Sequence, residues 1–295
     1  MKRKNLLWML LFLSVIIAKA QQLTKDQSEL RSLSTTWDLD KENRQGNFKF
    51  TPYKPVYVTA GRWSNNPNTL PLSENPVYSS TVPKEFNNYE AKFQLSFKTK
   101  VAQSLFFGVG DLWVGYTQKA HWQIYNTEIS RAFRELNYEP ELMLNFPLNL
   151  EIAGLTLKMA GVTFNHQSNG RDIPRSRSWN RVIFNFAFES ENLQLYVSPW
   201  IRLSDEEDEN PLITSYIGNG RVTAIYKLKK NTFYAIGTNT FTLKDNRGSL
   251  EFNYLYPINK DLNLQAQFFT GYGETLVDYN HHQTTFGLGV SFINW

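Results

Sequence analysis

A serine becomes a nucleophile at neutral pH when a base takes its proton, and histidine is the side chain best suited to that task. The stretch FNHQSNGRDIPRSRSWNR, residues 164–181, offers that pair as His166-x-Ser168, followed by a polar turn and by Asn180. Residues two apart on an extended strand share a face, so His166 and Ser168 point the same way. If the flanking segments form a hairpin centred on the loop NGRDIPRSR, His166 stands opposite Asn180 and Ser168 opposite Ser178. Directly opposed residues have Cβ atoms about 4.5–5.5 Å apart, which suits an imidazole bonded to a carboxamide. The spacing therefore permits a Ser-His-Asn triad in which Ser168 attacks, His166 takes its proton and Asn180 fixes the ring tautomer. A polar strand end running into a turn has the same look, so the frame carrying these residues must decide.

The chain starts MKRKNLLWMLLFLSVIIAKAQQ: basic at Lys2, Arg3 and Lys4, apolar from Leu6 to Ala18, then Ala18-Lys19-Ala20. This is the layout of a secretory signal peptide over residues 1–20, with the mature chain beginning near Gln21. Its apolar run is short for a membrane-spanning helix, which needs about 20 residues. Removing residues 1–20 takes Lys2, Arg3, Lys4 and Lys19 and no acidic residue, so 27 of the 31 Lys and Arg remain against 27 Asp and Glu. A mature chain near neutrality lacks the basic field of a nucleic-acid binder. It has no cysteine, so an exported protein must rely on a packed core, a closed sheet, a metal or a membrane instead of disulfides.

Aromatics make up 15% of the chain, and many alternate with polar residues. Period-two patterning and turn signals give twelve candidate strands, at roughly 49–61, 89–99, 105–125, 137–148, 152–167, 178–189, 192–202, 216–228, 232–243, 248–257, 262–273 and 284–295. In NRVIFNFAFE, for example, Val182, Phe184, Phe186 and Phe188 share one face, with Arg181, Asn185 and Ala187 on the other. An even number of such segments, with one apolar and one polar face, predicts an all-β fold: a twelve-stranded antiparallel transmembrane barrel over residues 46–295. A soluble sandwich also alternates, but it has no place for so many outward aromatics. In lipid the sheet must close, because an open edge leaves backbone groups unpaired. Connections near 149–151, 190–191, 229–231 and 258–261 are tight, whereas those near 62–88, 126–136, 168–177 and 203–215 are long. Short turns belong on the periplasmic side and long loops outside. The last strand ends on Trp295, an aromatic terminus common in such barrels, and Trp113, Trp122 and Trp200 read as interfacial girdle residues. Residues 21–45 are polar and lack a strand pattern; a tail, a short helix or a plug all fit.

On this frame Asn180 shares a face with Val182, Phe184, Phe186 and Phe188, and His166 with Val162 and Phe164. That is the lipid side, near the outer rim. A triad there meets membrane lipids as substrate, and a neutral amide as third member avoids the desolvation cost of a carboxylate. Backbone amides of the Asn169-Gly170 turn, or a bound cation, are candidates for stabilising the oxyanion. The loop RDIPRSRS offers carbonyls and hydroxyls of the kind calcium accepts.

HQSNGR followed by SRSWNR, with GYTQKAHWQIYN and FRELNYEPELML upstream and GYGETLVDYN near the end, resembles the outer-membrane phospholipases A of Gram-negative bacteria, from about residue 47 onward. The resemblance implies a twelve-stranded barrel that hydrolyses acyl esters of phospholipids and lysophospholipids, uses Ca2+, and is active as a homodimer. It makes Ser168 the nucleophile, His166 the base and Asn180 the third member. Arg171 and Ser176 match positions giving backbone carbonyls to calcium, and Ser130 matches a hydroxyl ligand that reaches this calcium from the partner subunit. Gln118 matches a polar residue buried at the family's dimer interface, although a polar lumen would suit it equally. Two departures stand out. The family loop often carries an acid two residues after the Arg, where this chain has Ile173, with Asp172 one place earlier; and an aspartate of a second calcium site falls on Glu209.

Other features invite plainer readings. The acidic run SDEEDEN, 204–210, reads as a solvated external loop, and His121, His281 and His282 make no plausible metal set. The competing function is a non-catalytic porin-like barrel in which the motif has no chemistry.

Overall fold

The computed structural model describes residues 30–40, 42 and 44–292. The signal peptide expected at 1–20, residues 21–29 and the terminal Trp295 lie outside the described residues. The strands are β1 (Phe50–Pro52), β2 (Tyr57–Ser64), β3 (Tyr89–Ala102), β4 (Asp111–Trp122), β5 (Glu135–Ile152), β6 (Leu155–Ser168), β7 (Ser178–Glu189), β8 (Leu193–Leu203), β9 (Gly220–Leu228), β10 (Asn231–Asn239), β11 (Gly248–Pro257), β12 (Asn263–Gly271) and β13 (Gln283–Ser291). From β2 onward each strand pairs antiparallel with the next, and β13 returns to β2, so the sheet closes. There are twelve staves, because β1 and β2 run end to end along the same edge of β3. The expected single strand over 49–61 is interrupted near Pro52 and Pro55, which have no N–H to give to a ladder. Residues 105–110, expected as the start of a strand, instead form a turn before β4 in which Gly108 and Gly110 have positive φ.

Strand parity sorts the barrel into two surfaces. On β6, Val162 and Phe164 are 41% and 50% exposed, whereas Thr163 and Asn165 are buried. On β7, Trp179, Arg181, Ile183 and Ala187 point inward and Phe186 outward. Trp113 and Trp200 do not belong to an interfacial girdle. Each alternates with an exposed aliphatic neighbour, Val114 and Ile201, and is buried in the lumen.

The lumen is filled at both ends. At the end with the tight turns, helix α1 (Leu33–Trp37) sits inside the barrel, its N-terminus capped by Ser32 Oγ accepting from the Thr35 N–H at 3.1 Å. Leu33 and Trp37 pack against Trp113, Met143, Met159 and Ala187. Asp38, just past the helix, pairs with Lys100 at 3.2 Å, and Lys98 Nζ lies 4.2 Å from the Trp37 ring centroid. At the opposite end, residues 272–282 fold inward. Glu274 there binds Arg62 and Lys92, Asp278 pairs with Arg134 at 3.2 Å, and Glu90 joins Arg62 at 2.7 Å and Arg134 at 2.8 Å. Helix α2 (Ile213–Ile217) adds Ile213 to an apolar cap with Trp179, Ile183, Trp200, Leu276 and Tyr279. Buried charges persist only when paired, as these carboxylates are with their Arg and Lys partners; buried Lys98 instead donates to the Pro52 carbonyl at 3.2 Å and faces the Trp37 ring. Between the two plugs lies a cavity of about 240 Å³ whose lining includes Lys54, Glu139, Arg181 and Arg221.

Candidate active site

The hairpin β6–β7 has the register that its loop predicts: His166 faces Asn180 and Ser168 faces Ser178. His166 Nδ1 lies 2.8 Å from Asn180 Oδ1. The amide oxygen only accepts, so Nδ1 carries the proton and Nε2 is left as the basic nitrogen. Ser168 is the last residue of β6, on the same outward face as His166.

The lumen side of these strands holds them in place. Gln167, between His166 and Ser168, accepts from Trp179 Nε1 at 2.9 Å and from Arg181 Nη2 at 3.1 Å. Trp179 and Arg181 flank Asn180 in sequence, and the Arg181 guanidinium stacks 3.9 Å from a Trp179 ring centroid. Arg181 also bonds Asn165 Oδ1 at 2.6 Å and Glu139 at 3.3 Å. A slip of register by one residue would break these inner contacts and turn His166 and Asn180 inward. The inner and outer faces therefore specify the same alignment.

Across the other edge of β6, Ser168 faces Tyr138, and Tyr138 in turn faces Gln118 on β4. Gln118 is thus on the outer wall, opposite Leu95, which is exposed, and it accepts from Tyr116 Oη at 3.2 Å. Of its two expected settings, the lumen is excluded. Tyr138 is a neighbour of the serine that sequence reasoning missed; the parity of LNYEP already assigns it to the lipid face. It also explains Gly170. With φ of +60°, that residue is left-handed, and a Cβ there would come within 3.0 Å of the Tyr138 ring.

The loop residues matched to calcium are spread over three connections. Ser176 Oγ donates to Glu209 Oε1 at 2.7 Å, bringing the β6–β7 and β8–β9 loops together. Glu209 Oε2 is buried with no hydrogen-bond partner. Arg171 turns its guanidinium to the carbonyls of Phe133 at 2.5 Å and Arg134 at 3.0 Å. Ser130 stands apart in the β4–β5 loop, where its carbonyl accepts from Trp122 Nε1 at 2.8 Å. Among the described residues no three His, Cys, Asp or Glu side chains form a metal cluster, so a cation here depends on carbonyls and hydroxyls as well. The acidic run is not wholly solvated: Asp208 pairs with Arg202 at 2.5 Å, and the Glu209 carbonyl accepts from Ser73 at 2.7 Å.

The family model described as phospholipase A1 matches residues 33–292. A putative phospholipase A1 of Neisseria meningitidis serogroup B is 38% identical over 270 residues, covering 88% of this chain and 69% of that one. Phospholipase A1 of Escherichia coli K12 is 36% identical over 243 residues, 82% of this chain and 81% of its own. Among solved structures, outer membrane phospholipase A from Escherichia coli matches with a TM-score of 0.75 at 34% identity, over 84% of this chain and 99% of that one. The calcium-bound dimer of the Salmonella typhi outer membrane phospholipase matches at 0.77 and 32% identity, over 89% of this chain and 99% of its own.

Proposed function

Since this chain belongs to the phospholipase A1 family of outer-membrane phospholipases, we propose that it hydrolyses the acyl esters of phospholipids and lysophospholipids through Ser168, His166 and Asn180, with calcium and as a homodimer. The observation that carries this reading is the 2.8 Å contact of His166 Nδ1 with Asn180 Oδ1 on the lipid-facing wall, beside Ser168. Ser168 Oγ attacks the ester carbonyl as its proton passes to His166 Nε2. The imidazolium then returns that proton to the leaving alkoxide, releasing the lyso product. Water, deprotonated in turn by His166, attacks the acyl-Ser168 ester; the imidazolium gives the proton to Ser168 Oγ as the ester bond breaks, and fatty acid leaves. Asn180 holds the tautomer throughout without adding a charge to the apolar wall.

For the oxyanion, the turn narrows the choice of donor. The Asn169 N–H is given to the Arg177 carbonyl at 3.0 Å, and the Arg171 N–H to Asn169 Oδ1 at 3.3 Å. Gly170 N–H makes no hydrogen bond among the described residues, so it is the available donor.

The donors fit calcium. A buried carboxylate oxygen of Glu209 lacks a partner beside Ser176, and hard oxygens are what calcium takes. Arg171 and Ser176 carbonyls, with Ser130 of the partner subunit, would hold the main ion, and Glu209 a second. When bound, calcium supplies positive potential toward the developing oxyanion. Chelation is expected to lower fatty-acid release from mixed micelles on the order of a hundredfold, and calcium added back should restore it. Release unaffected by chelator would remove calcium from the reaction.

The homodimer reading rests on the outer wall around Gln118, where a polar side chain sits among exposed Leu95, Val114 and Leu142. Its oxygen accepts from Tyr116 Oη, but its amide nitrogen has no partner among the described residues, and in lipid such a donor gains from an acceptor on a second subunit.

Asn180→Ala is expected to reduce kcat about a hundredfold, less than loss of Ser168 or His166, as is usual for the third member of a triad. Rates of fatty-acid release by wild type and Asn180→Ala in the same micelles provide the test, and equal kcat would sink the triad. The porin-like alternative predicts a conducting lumen, which plugs at both ends oppose.

A further inference from the structure

We infer that Asn169 is a positioning residue for the reaction, holding the turn that follows the nucleophile; the inference rests on the assignment of Ser168 as that nucleophile. Asn169 is 1% exposed, and its carboxamide uses every hydrogen-bonding position it has. Oδ1 accepts from the Arg171 N–H at 3.3 Å and the Arg177 N–H at 2.9 Å. Nδ2 donates to the Arg175 carbonyl at 2.8 Å and to Glu135 Oε1 at 3.0 Å. Three of these bonds tie the two ends of the 169–177 turn to one side chain, and the fourth fastens it to the first residue of β5.

The clamp acts on the amide that matters. Of the three amides after Ser168, that of Arg171 is consumed by the Asn169 side chain and that of Asn169 by the Arg177 carbonyl. Asn169 thereby leaves Gly170 as the free donor and fixes the direction of its N–H. No strand ladder does this work, because β6 ends at Ser168 and β7 begins at Ser178. The polarity of the fourth bond is also set. Glu135 Oε1 already accepts from Asn137 Nδ2 at 3.1 Å, and residue 169 must present a donor to it.

The test reverses that polarity. Wild type, Asn169→Asp and the double variant Asn169→Asp with Glu135→Gln are compared in mixed micelles at saturating calcium and one pH. Asn169→Asp puts two oxygens where a donor met an acceptor. It is expected to lower kcat about a hundredfold with KM within about twofold, the signature of a misplaced group and not of lost substrate binding. Sulfonylation of Ser168 by an alkylsulfonyl fluoride should slow in parallel. In the double variant the carboxamide introduced at position 135 keeps its oxygen toward Asn137 Nδ2 and turns its nitrogen to the carboxylate introduced at position 169; this restores one of the two donor bonds lost, the one to the Arg175 carbonyl staying broken, so kcat should recover by about tenfold over Asn169→Asp without reaching the wild-type value. A purely structural role for Asn169 predicts less folded barrel, with wild-type kcat and sulfonylation rate per folded molecule.

Wild-type kcat in Asn169→Asp, or a folded double variant no faster than it, overturns the inference. Folding is read from the heat-dependent gel shift of the barrel; if Asn169→Asp does not fold, Asn169→Ala carries the same kcat expectation and is judged the same way. Ser168→Ala runs alongside. Activity persisting in Ser168→Ala removes the nucleophile assignment itself, whereas an inactive Ser168→Ala beside a fully active Asn169→Asp removes only the role of Asn169.

Discussion

Ser168→Ala is expected to lower fatty-acid release by at least about ten-thousandfold, because a triad without its nucleophile retains only binding and oxyanion stabilisation. Stability should hardly change. Ser168 is half-buried at the end of β6, its side chain has no hydrogen bond among the described residues, and its backbone pairing with Tyr138 and Ser178 does not depend on the hydroxyl. His166→Ala should fall by a similar factor, and the double variant should be no slower than either single one, since the residues act as a unit. Labelled acyl release from micelles, with folding checked by gel mobility, measures all three. Activity in Ser168→Ala within about tenfold of wild type would end the assignment.

Glu274→Ala should be the most damaging single change to stability, at about 3–5 kcal/mol, because it strips the counter-charge from buried cations. The Glu274 side chain is fully buried. Its Oε1 accepts from Arg62 Nε at 3.2 Å and Lys92 Nζ at 3.0 Å, and its Oε2 from Arg62 Nη2 and from Gln283 at 3.1 Å. Lys92 would be left with the Gln267 oxygen and a longer contact to Glu251 at 3.7 Å. Burial pushes the Glu274 carboxyl up, but Arg62 and then Lys92 more than offset this and hold it well below the ordinary carboxylate range. A carboxyl depressed by folding contributes stability above its unfolded value, and that contribution is lost as pH falls through the folded one. The wild-type barrel should therefore keep this contribution at neutral pH and lose it only in strong acid. In Glu274→Ala that part of the acid dependence disappears. Urea unfolding in lipid vesicles at neutral and acid pH measures both effects; an unchanged midpoint at neutral pH would show that the network does not stabilise the fold.

The outer wall was legible in the sequence because lipid imposes one rule on it. Along β7, Val182, Phe184, Phe186 and Phe188 can only face one way together, and a hairpin centred on its loop then brings Asn180 to His166. The lumen was not legible in the same manner. On β4 both parities carry apolar groups, Leu112, Val114 and Tyr116 against Trp113, so the side facing lipid does not follow from composition. Trp113 is buried because α1 arrives from far away in sequence to cover it. The same distance left α1 as one option beside a tail or a plug, because its apolar residues Leu33 and Trp37 look isolated until the barrel surrounds them. The turn amides of Asn169-Gly170 were legible as donors, but the Asn169 side chain was not: in SNGR it has the appearance of an ordinary turn residue, and its four partners come from three loop positions and from Glu135.

His166 and Asn180 meet on a wall that faces hydrocarbon, not in a cleft open to water. An enzyme built this way samples its substrate in two dimensions. Its rate should follow the mole fraction of phospholipid in the surrounding film, and diluting that film with inert detergent should slow turnover even when the total lipid in the tube is unchanged. Both products are released sideways into the same film, where they loosen the packing of the lipids that arrive next.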